Sequence, residues 1–440
     1  MLQNIKYNKW VVMAFATLLL TSCKKEYSDP NRATSDKVLS TANGLTGVSV
    51  GLQRVYSLGR ASSLYNVVSM NGFITRELLL LNQGNLPEYQ LTQGGTVVDG
   101  TNTMLSGLWT SSNKIIYDAD QVINNAGNLA DKGTASGLIG YASIFKALSL
   151  GNMSMFWEKI PADIGTNVTF INRNDGFTKA IDVINTAQAA ISTNAISASF
   201  ASTIPAGIDI PNTLQALKAR YLLYSGKYPE ALTAANLVDL TKKSTLNFEA
   251  AAPNPIYDVA GSNFNVYQPI DSTMGLLGSL QPDLADKRVP FYMVLSGSSA
   301  SRFLMKGFAA NTTSVYPIYY PGEMTLIKAE AYARQTVPDL VNALIELNKI
   351  VTKKAINDPL GIGADLPMMV GPFTQAQLLD QIYRHRSIEM YMSGLKLEDM
   401  RRFGRPSSTT LVGSERTRNL LPYPFRERDN NPNTPADPAF

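Results

Sequence analysis

Two residue types are nearly missing from this 440-residue chain, and their scarcity excludes more chemistry than any motif supplies. There is one cysteine, Cys23, and one histidine, His385. A single cysteine rules out an intramolecular disulfide and every cysteine-rich metal site. A single histidine leaves no two-histidine zinc motif of the HExxH type. A Ser-His-Asp triad would have to use His385, which stands in a helical pattern with no nucleophile-elbow motif beside it. Charge is sparse as well: 17% of residues are Asp, Glu, Lys or Arg, and the formal net charge is +4. Lys6 and Lys9 lie in a segment expected to be removed, and residues 1–22 hold no acid, so the remaining chain carries +4 − 2 = +2. Nothing in that balance points to a nucleic-acid partner. Polarity comes instead from Asn, Ser, Thr and Gln, which suits a neutral, hydrogen-bonding, extracytoplasmic surface.

The apolar run near the start, VVMAFATLLL, is too short to span a bilayer, which needs about 20 residues. It follows Lys6 and Lys9 and precedes Leu20-Thr21-Ser22-Cys23. A basic start, a short apolar run and small residues before a cut describe a secretory signal over residues 1–22. Its last four residues resemble a bacterial lipobox, which implies acylation of Cys23 as the new N-terminus. Acyl chains anchor a protein without a spanning helix. Residues 23–35 then read as a polar tether.

From residue 36 onward helical patterns dominate, and the expected fold is mainly α. Residues 36–58 read as a first helix, and 74–81 (ITRELLLL) as the end of a second. The Gly- and Asn-rich stretch 82–103 reads as a long irregular loop. Helices follow at 109–125, through GLIGYASIFKALSLGNMSMFWEKIP to Pro161, and at 177–195. Pro211 and Pro229 open two further helices around Ser225-Gly226-Lys227, where glycine stops the first and proline starts the second. That turn resembles a tetratricopeptide hairpin, with Ala231, Ala234 and Ala235 allowing close approach. Helical hairpins are thus expected over about 36–243 and 321–405, within one domain spanning 36–440. Residues 244–320 read as an irregular insertion with short strands in FYMVL and RFLMKGF. The last thirty or so residues show no packing pattern.

The densest pattern lies at Phe373–Pro406. Leu378, Leu379, Ile382, Tyr383, Arg386 and Met390 share one helix face. An arginine on an apolar face needs a carboxylate, and Glu389, Glu398 and Asp399 are the nearest candidates in sequence.

Several segments together resemble the SusD/RagB family of nutrient-uptake lipoproteins of Bacteroidetes outer membranes. Trp109 to Tyr117 and Asn124 are similar to the family's Trp-to-Tyr helix, and Phe156-Trp157-Glu158-Lys159-Ile160-Pro161 to the aromatic end of its next helix. Ala219-Arg220-Tyr221-Leu222 with Gly226-Lys227-Tyr228 and Ala231 is similar to its ARxxLxxGxYxxA hairpin. Glu323 to Ala331 follows ExxLIxAEA. Arg386, Glu389, Gly394, Lys396, Asp399, Arg401 and Gly404 follow ERxxELxxEGxRxxDLxRxG. The chain departs at His385 and Ser393, where the family usually carries glutamate, and at Lys396, where arginine is common. The resemblance implies tetratricopeptide-like hairpins with an irregular, loop-rich, ligand-facing region. It implies binding of oligosaccharide, or sometimes peptide, without turnover and without a cofactor. It also implies a SusC-like TonB-dependent transporter as partner and attachment to the outer membrane through Cys23.

Sugar rings are met by flat aromatic faces and hydrogen-bonding groups. On that basis Tyr89, Trp157, Tyr267, Tyr316, Tyr319 and Tyr320 are candidate ligand contacts, with Asn82, Gln83 and Asn263 as hydrogen-bonding candidates. Glu330, Arg386, Glu389, Asp399 and Arg401 are expected to form a structural clamp. The rival class, a secreted glycoside hydrolase, needs two carboxylates flanking a cleft, and Asp99, Asp163, Asp175 and Asp271 are its loop candidates. A helical-repeat adaptor without a small-molecule ligand is the third class, and it should lack the long Asn/Gly/aromatic insertions.

Overall fold

A computed structural model describes residues 35–262, 266–297, 302–406 and 415–439. Cys23, the signal segment, most of the tether and Asn263 lie outside these residues.

Helices carry the architecture. The first are α1 (Ala42–Ser57) and α2 (Ser63–Ile74), followed by α3 (Leu86–Gln93). The long antiparallel pair α4 (Thr103–Ala126) and α5 (Lys132–Phe156) comes next, then α6 (Arg173–Thr193). A hairpin of α7 (Ile210–Tyr224) and α8 (Tyr228–Asn236) packs against α6 and against α9 (Pro321–Arg334). The series closes with α10 (Leu340–Val351), α11 (Gln375–Glu389) and α12 (Lys396–Arg402). Their starts are capped as the sequence dictates. Asn102 accepts from the amides of Met104 and Leu105, and Asp131 from those of Gly133 and Thr134. Thr374 and Gln377 form a reciprocal capping box.

Close helix approach depends on small residues. In α5, a Cβ on Gly151 would stand 2.3 Å from the Tyr221 hydroxyl oxygen, and one on Gly137 2.2 Å from the Phe200 ring. Both glycines are therefore sockets for aromatic side chains of later elements. A large core runs from Leu45 to Tyr423, and a second cluster, with Leu326, Leu347, Leu378 and Ile382, fills the space among α9, α10 and α11.

The strands are short and pair two by two. Strand β1 (Leu78–Leu80) is crossed later by its partner, and β2 (Lys159–Pro161) pairs with β3 (Phe170–Asn172). Strand β4 (Thr245–Leu246) joins a distant partner, while β5 (Tyr267–Pro269) runs antiparallel to β1 with Leu79 opposite Gln268. The expected short strands appear as β6 (Met293–Leu295) against β7 (Phe303–Met305). Strand β8 (Tyr316–Pro317) returns to β4.

Four expectations are corrected. The first helix is broken, with a separate turn of helix at Ser35–Leu39 before α1. Residues 78–80 are strand rather than helix end, because α2 stops at Thr75 and Arg76 takes a left-handed φ of 60°. The 82–103 stretch contains α3, with Pro87 in its first turn. The tail also packs: Leu421 and Tyr423 are buried, and the Pro422 carbonyl accepts the Trp157 indole N–H at 2.9 Å.

Candidate functional site

Most of the aromatic candidates serve the interior. Trp157 is fully buried, edge-on to Trp109 with ring centroids 4.9 Å apart. Tyr267 is fully buried, its hydroxyl 3.2 Å from that of Ser69. Tyr316 donates to the Met392 carbonyl, and Tyr320 packs its ring on Phe308. Tyr319 accepts from the Asn212 amide at 2.6 Å and donates to the Lys242 carbonyl at 3.1 Å; burial pushes its hydroxyl up to about 12. These five are therefore corrected from ligand contacts to core residues. Hydroxyls satisfied within the protein let Tyr267, Tyr316 and Tyr319 bury their rings at little polar cost, and sequence gives no sign of which loop tyrosines have such partners.

The arginine-rich stretch also sorts into separate networks. Arg386 grips Asp399 with two bonds of 3.0 Å, and Arg402 grips Glu330 at 3.0 and 2.9 Å while reaching Asp399 at 2.8 Å. Arg386 and Glu330 are 3.8 Å apart. These groups tie α9, α11 and α12 together. Burial pushes the Glu330 carboxyl up, but Arg402, then Arg386 and Arg334, outweigh it and hold it at about 2. Glu389 belongs elsewhere. It meets Arg288 at 3.2 Å and Lys353, in a cluster where Arg288 also bonds Asp286 and the Nδ1 of His385. Burial and the Arg288 charge push the His385 pKa well down, so this ring is a neutral acceptor and not a general acid. Arg401 joins Glu398 at 2.6 Å rather than the Arg386 group. A further buried pair, Arg220 with Glu323 at 2.6 and 2.7 Å, links α7 to α9.

What remains accessible is a cleft of about 470 Å³ where the α2–β1 corner, α3 and the 270–281 loop meet. That size suits a ligand of a few rings or residues. Tyr89 on α3 and Gln83 line it, together with Gln93, Gln281, Arg76 and Asp271. Asn82 is exposed beside the cleft, and its side chain accepts the Gly84 amide in a turn of its own. Tyr89 is half-buried, which leaves part of its ring open. Leu79 and Leu277 add exposed aliphatic surface to the lining. Arg76 is held in place by backbone bonds on both sides, from its own amide to the Phe73 carbonyl and from Glu77 to Gly72. Burial lowers its pKa. Opposite, the Asp271 carboxylate accepts both the amide and the hydroxyl of Thr273, which shapes the 271–275 turn.

Of the residues expected to meet a ligand, Tyr89 and Gln83 line this cleft; Arg76, Gln93, Gln281 and the leucines line it too and were not among those expectations. The Asp271-Ser272-Thr273 turn signal was available in the sequence; the approach of residues 76 and 281 was not. A larger cleft of about 1,090 Å³ lies beside α6 and α7, lined by Ile191, Ile204 and Ile208 with Gln188, Gln215 and Lys218. It has no aromatic lining residue, so it offers no face for a sugar ring. Among the described residues, no group of three or more His, Cys, Asp or Glu side chains is placed to hold a metal ion. No helix among them is long and apolar enough to cross a membrane.

No protein-family model and no curated protein matches the chain. Solved structures do. A SusD-like carbohydrate binding protein from Bacteroides fragilis superposes with a TM-score of 0.69 at 15% identity, covering 90% of this chain and 99% of the other. A SusD superfamily protein from Bacteroides thetaiotaomicron gives 0.68 at 16% identity, over 90% and 100%. A putative sugar binding protein from Bacteroides vulgatus gives 0.65 at 15% identity, over 91% and 98%. The chain therefore has the SusD-like fold: mainly helical, with short, paired strands.

Proposed function

We propose that this chain is a cell-surface nutrient-binding lipoprotein that captures oligosaccharides in the cleft at Tyr89 and passes them to a SusC-like TonB-dependent transporter. The observation that carries the reading is that cleft, an accessible site in a SusD-like fold, with one open aromatic ring among amide side chains. A flat ring supplies stacking and the Gln83, Gln93 and Gln281 amides match hydroxyls, a wet arrangement of modest affinity. The carbohydrate-binding and sugar-binding descriptions of structural neighbours support the same ligand class. The lipobox-like ending at Cys23 supports attachment to the outer membrane with the domain displayed at the surface.

Turnover is disfavoured by the lining itself. Glycoside hydrolysis takes two carboxyl groups about 5–9.5 Å apart, and Asp271 is the only acid among the residues lining this cleft. Its Oδ1 accepts both bonds from Thr273. A peptide ligand is the second reading, favoured by the exposed Leu79 and Leu277 at the lining.

The test is an array of glycans and peptides probed with the soluble chain beginning after Cys23, with Tyr89→Ala alongside. Retention of oligosaccharides that Tyr89→Ala loses, with the glycan recovered intact, is expected. Binding to peptides alone would replace the first reading by the second, and cleavage products that vanish in Asp271→Asn would overturn both.

A further inference from the structure

Directly behind the cleft wall stand two buried groups of opposite charge that are not in ion-pair contact. Glu77 is 1% exposed and Lys396 3% exposed. Among the described residues, the Glu77 carboxylate accepts two long hydrogen bonds, from the Thr75 hydroxyl and the Met392 amide, both 3.5 Å. Its backbone carbonyl is held firmly, by the Ile270 amide at 2.9 Å and the Tyr391 hydroxyl at 2.7 Å. Lys396, at the first turn of α12, donates to the carbonyl of Met274 at 3.0 Å. Met274 and Gly275 form a left-handed turn with φ of 55° and 71°. Gly275 sits so close to the Arg76 carbonyl that a Cβ there would approach it to 2.3 Å, so only glycine fits. Gly275, Leu276 and Leu277 are themselves part of the cleft lining.

We propose that Glu77 and Lys396 are positioning residues for the cleft, an acid–base couple behind its wall whose charge state sets where the 274–277 turn stands. The proposal rests on the reading of this cleft as the binding site. While Glu77 is neutral it stays in this dry site without a charge to desolvate, and the Met274 carbonyl bonded to Lys396 keeps the turn against the α2–β1 corner. When Glu77 ionises, the cost of burying its charge outweighs the attraction of Lys396, and the turn loosens to admit water.

Among the described residues, the charges acting on the couple fit this balance. Burial pushes the Glu77 carboxyl up; Lys396 pulls it down and Asp399 of α12 pushes it up, leaving it at about 7. Burial lowers Lys396, while Glu77 and Glu415 raise it. Tyr391, Tyr316 and Tyr320 also feel the Glu77 charge, but burial pushes their hydroxyls well up, so they stay neutral. Glu77 is thus the member of the group that titrates near neutrality. A pH change across that range then alters the wall of the cleft through two groups that do not themselves line it.

The test is deuterium exchange of the 273–281 segment in the soluble chain, corrected for intrinsic exchange, at pH 6 and pH 8. Exchange roughly tenfold faster at pH 8 is expected, with a segment of α5 unchanged. Glu77→Gln should flatten the response, and Lys396→Arg should keep it. If Glu77→Gln does not fold, the infrared band of a buried protonated carboxyl, present at pH 6 and absent at pH 8, reports the same titration in the wild type. A flat wild-type response, or an unchanged response in folded Glu77→Gln, overturns the proposal. Glycan binding with a pH-flat turn would overturn the positioning role alone. A responsive turn in a chain that binds no glycan would overturn the assignment of the cleft alone.

Discussion

Replacing Arg402 with methionine would keep the length of the side chain while removing a charge shared by two buried carboxylates. Arg402 makes two bonds to Glu330 and one to Asp399. Without it, Glu330 keeps Arg334 at 3.0 Å and Arg386 at 3.8 Å, and Asp399 keeps Arg386. The size of the loss follows from Glu330 itself. Its carboxyl is held at about 2 against an ordinary 4.5, a linkage of about 3 kcal/mol at neutral pH. Arg402 is the largest of the charges that lower it. Breaking a buried pair from one side costs about 3–5 kcal/mol, so ~3 kcal/mol is expected. At about 2.1 cal/mol/K per residue of unfolding entropy, a domain of roughly 400 residues loses ~1.2 °C per kcal/mol, or about 4 °C in Tm. The sign with pH is fixed as well. A depressed carboxyl contributes stability above its unfolded pKa of 4.5 and loses it as pH falls toward 2. The gap between wild type and Arg402→Met should therefore be widest above pH 4.5 and narrow below it. Calorimetric melts at pH 7 and pH 3 check this, and an equal gap at both values would refute the electrostatic account.

Other outcomes follow from single contacts. Arg220→Met strands Glu323 in the core and should cost about 3–5 kcal/mol, read as a shift in the denaturation midpoint. Gly151→Ala drives a methyl into the Tyr221 ring and should cost about 1–3 kcal/mol by the same measurement. His385 is pushed down by burial and Arg288. The stability that this group contributes is therefore present above its unfolded pKa near 6.5 and declines as pH falls below it; His385→Gln should remove that part of the decline in melts between pH 7 and 5. Tyr89→Ala should weaken glycan binding roughly tenfold, about 1.4 kcal/mol, with Tm unchanged. Tyr267→Phe should leave binding as it is, because its hydroxyl faces Ser69 in the core.

Which parts of the molecule were legible in advance depended on the range of the forces involved. Helix positions were readable because capping residues, prolines at first turns and glycine stops act within a few residues. The α7–α8 hairpin around Gly226 and the helix ending in the Arg386 region are examples. The strand at residues 78–80 was misread because three leucines suit either conformation. Its choice was made by the left-handed Arg76 and by pairing with residues almost 190 positions later. The tail after Leu421 was misread for a related reason: its anchors, Trp157 and Trp109, are distant in sequence.

Sequence by itself determined the classes of chemistry available. One cysteine and one histidine excluded disulfides and the commonest zinc and triad sites, and the order of motifs pointed to a SusD-like scaffold. Tertiary structure alone decided which polar residues serve the scaffold and which face outward. Tyr89 and Tyr267 are equivalent as loop tyrosines in the sequence, yet one is half open on a cleft and the other is sealed against Ser69. Glu330 and Glu389 look alike in a charge-rich pattern, yet they belong to different networks. The physical reason is the same throughout. Burial and ion-pair partnership depend on distances of a few ångströms between residues tens or hundreds of positions apart, and local sequence does not contain those distances.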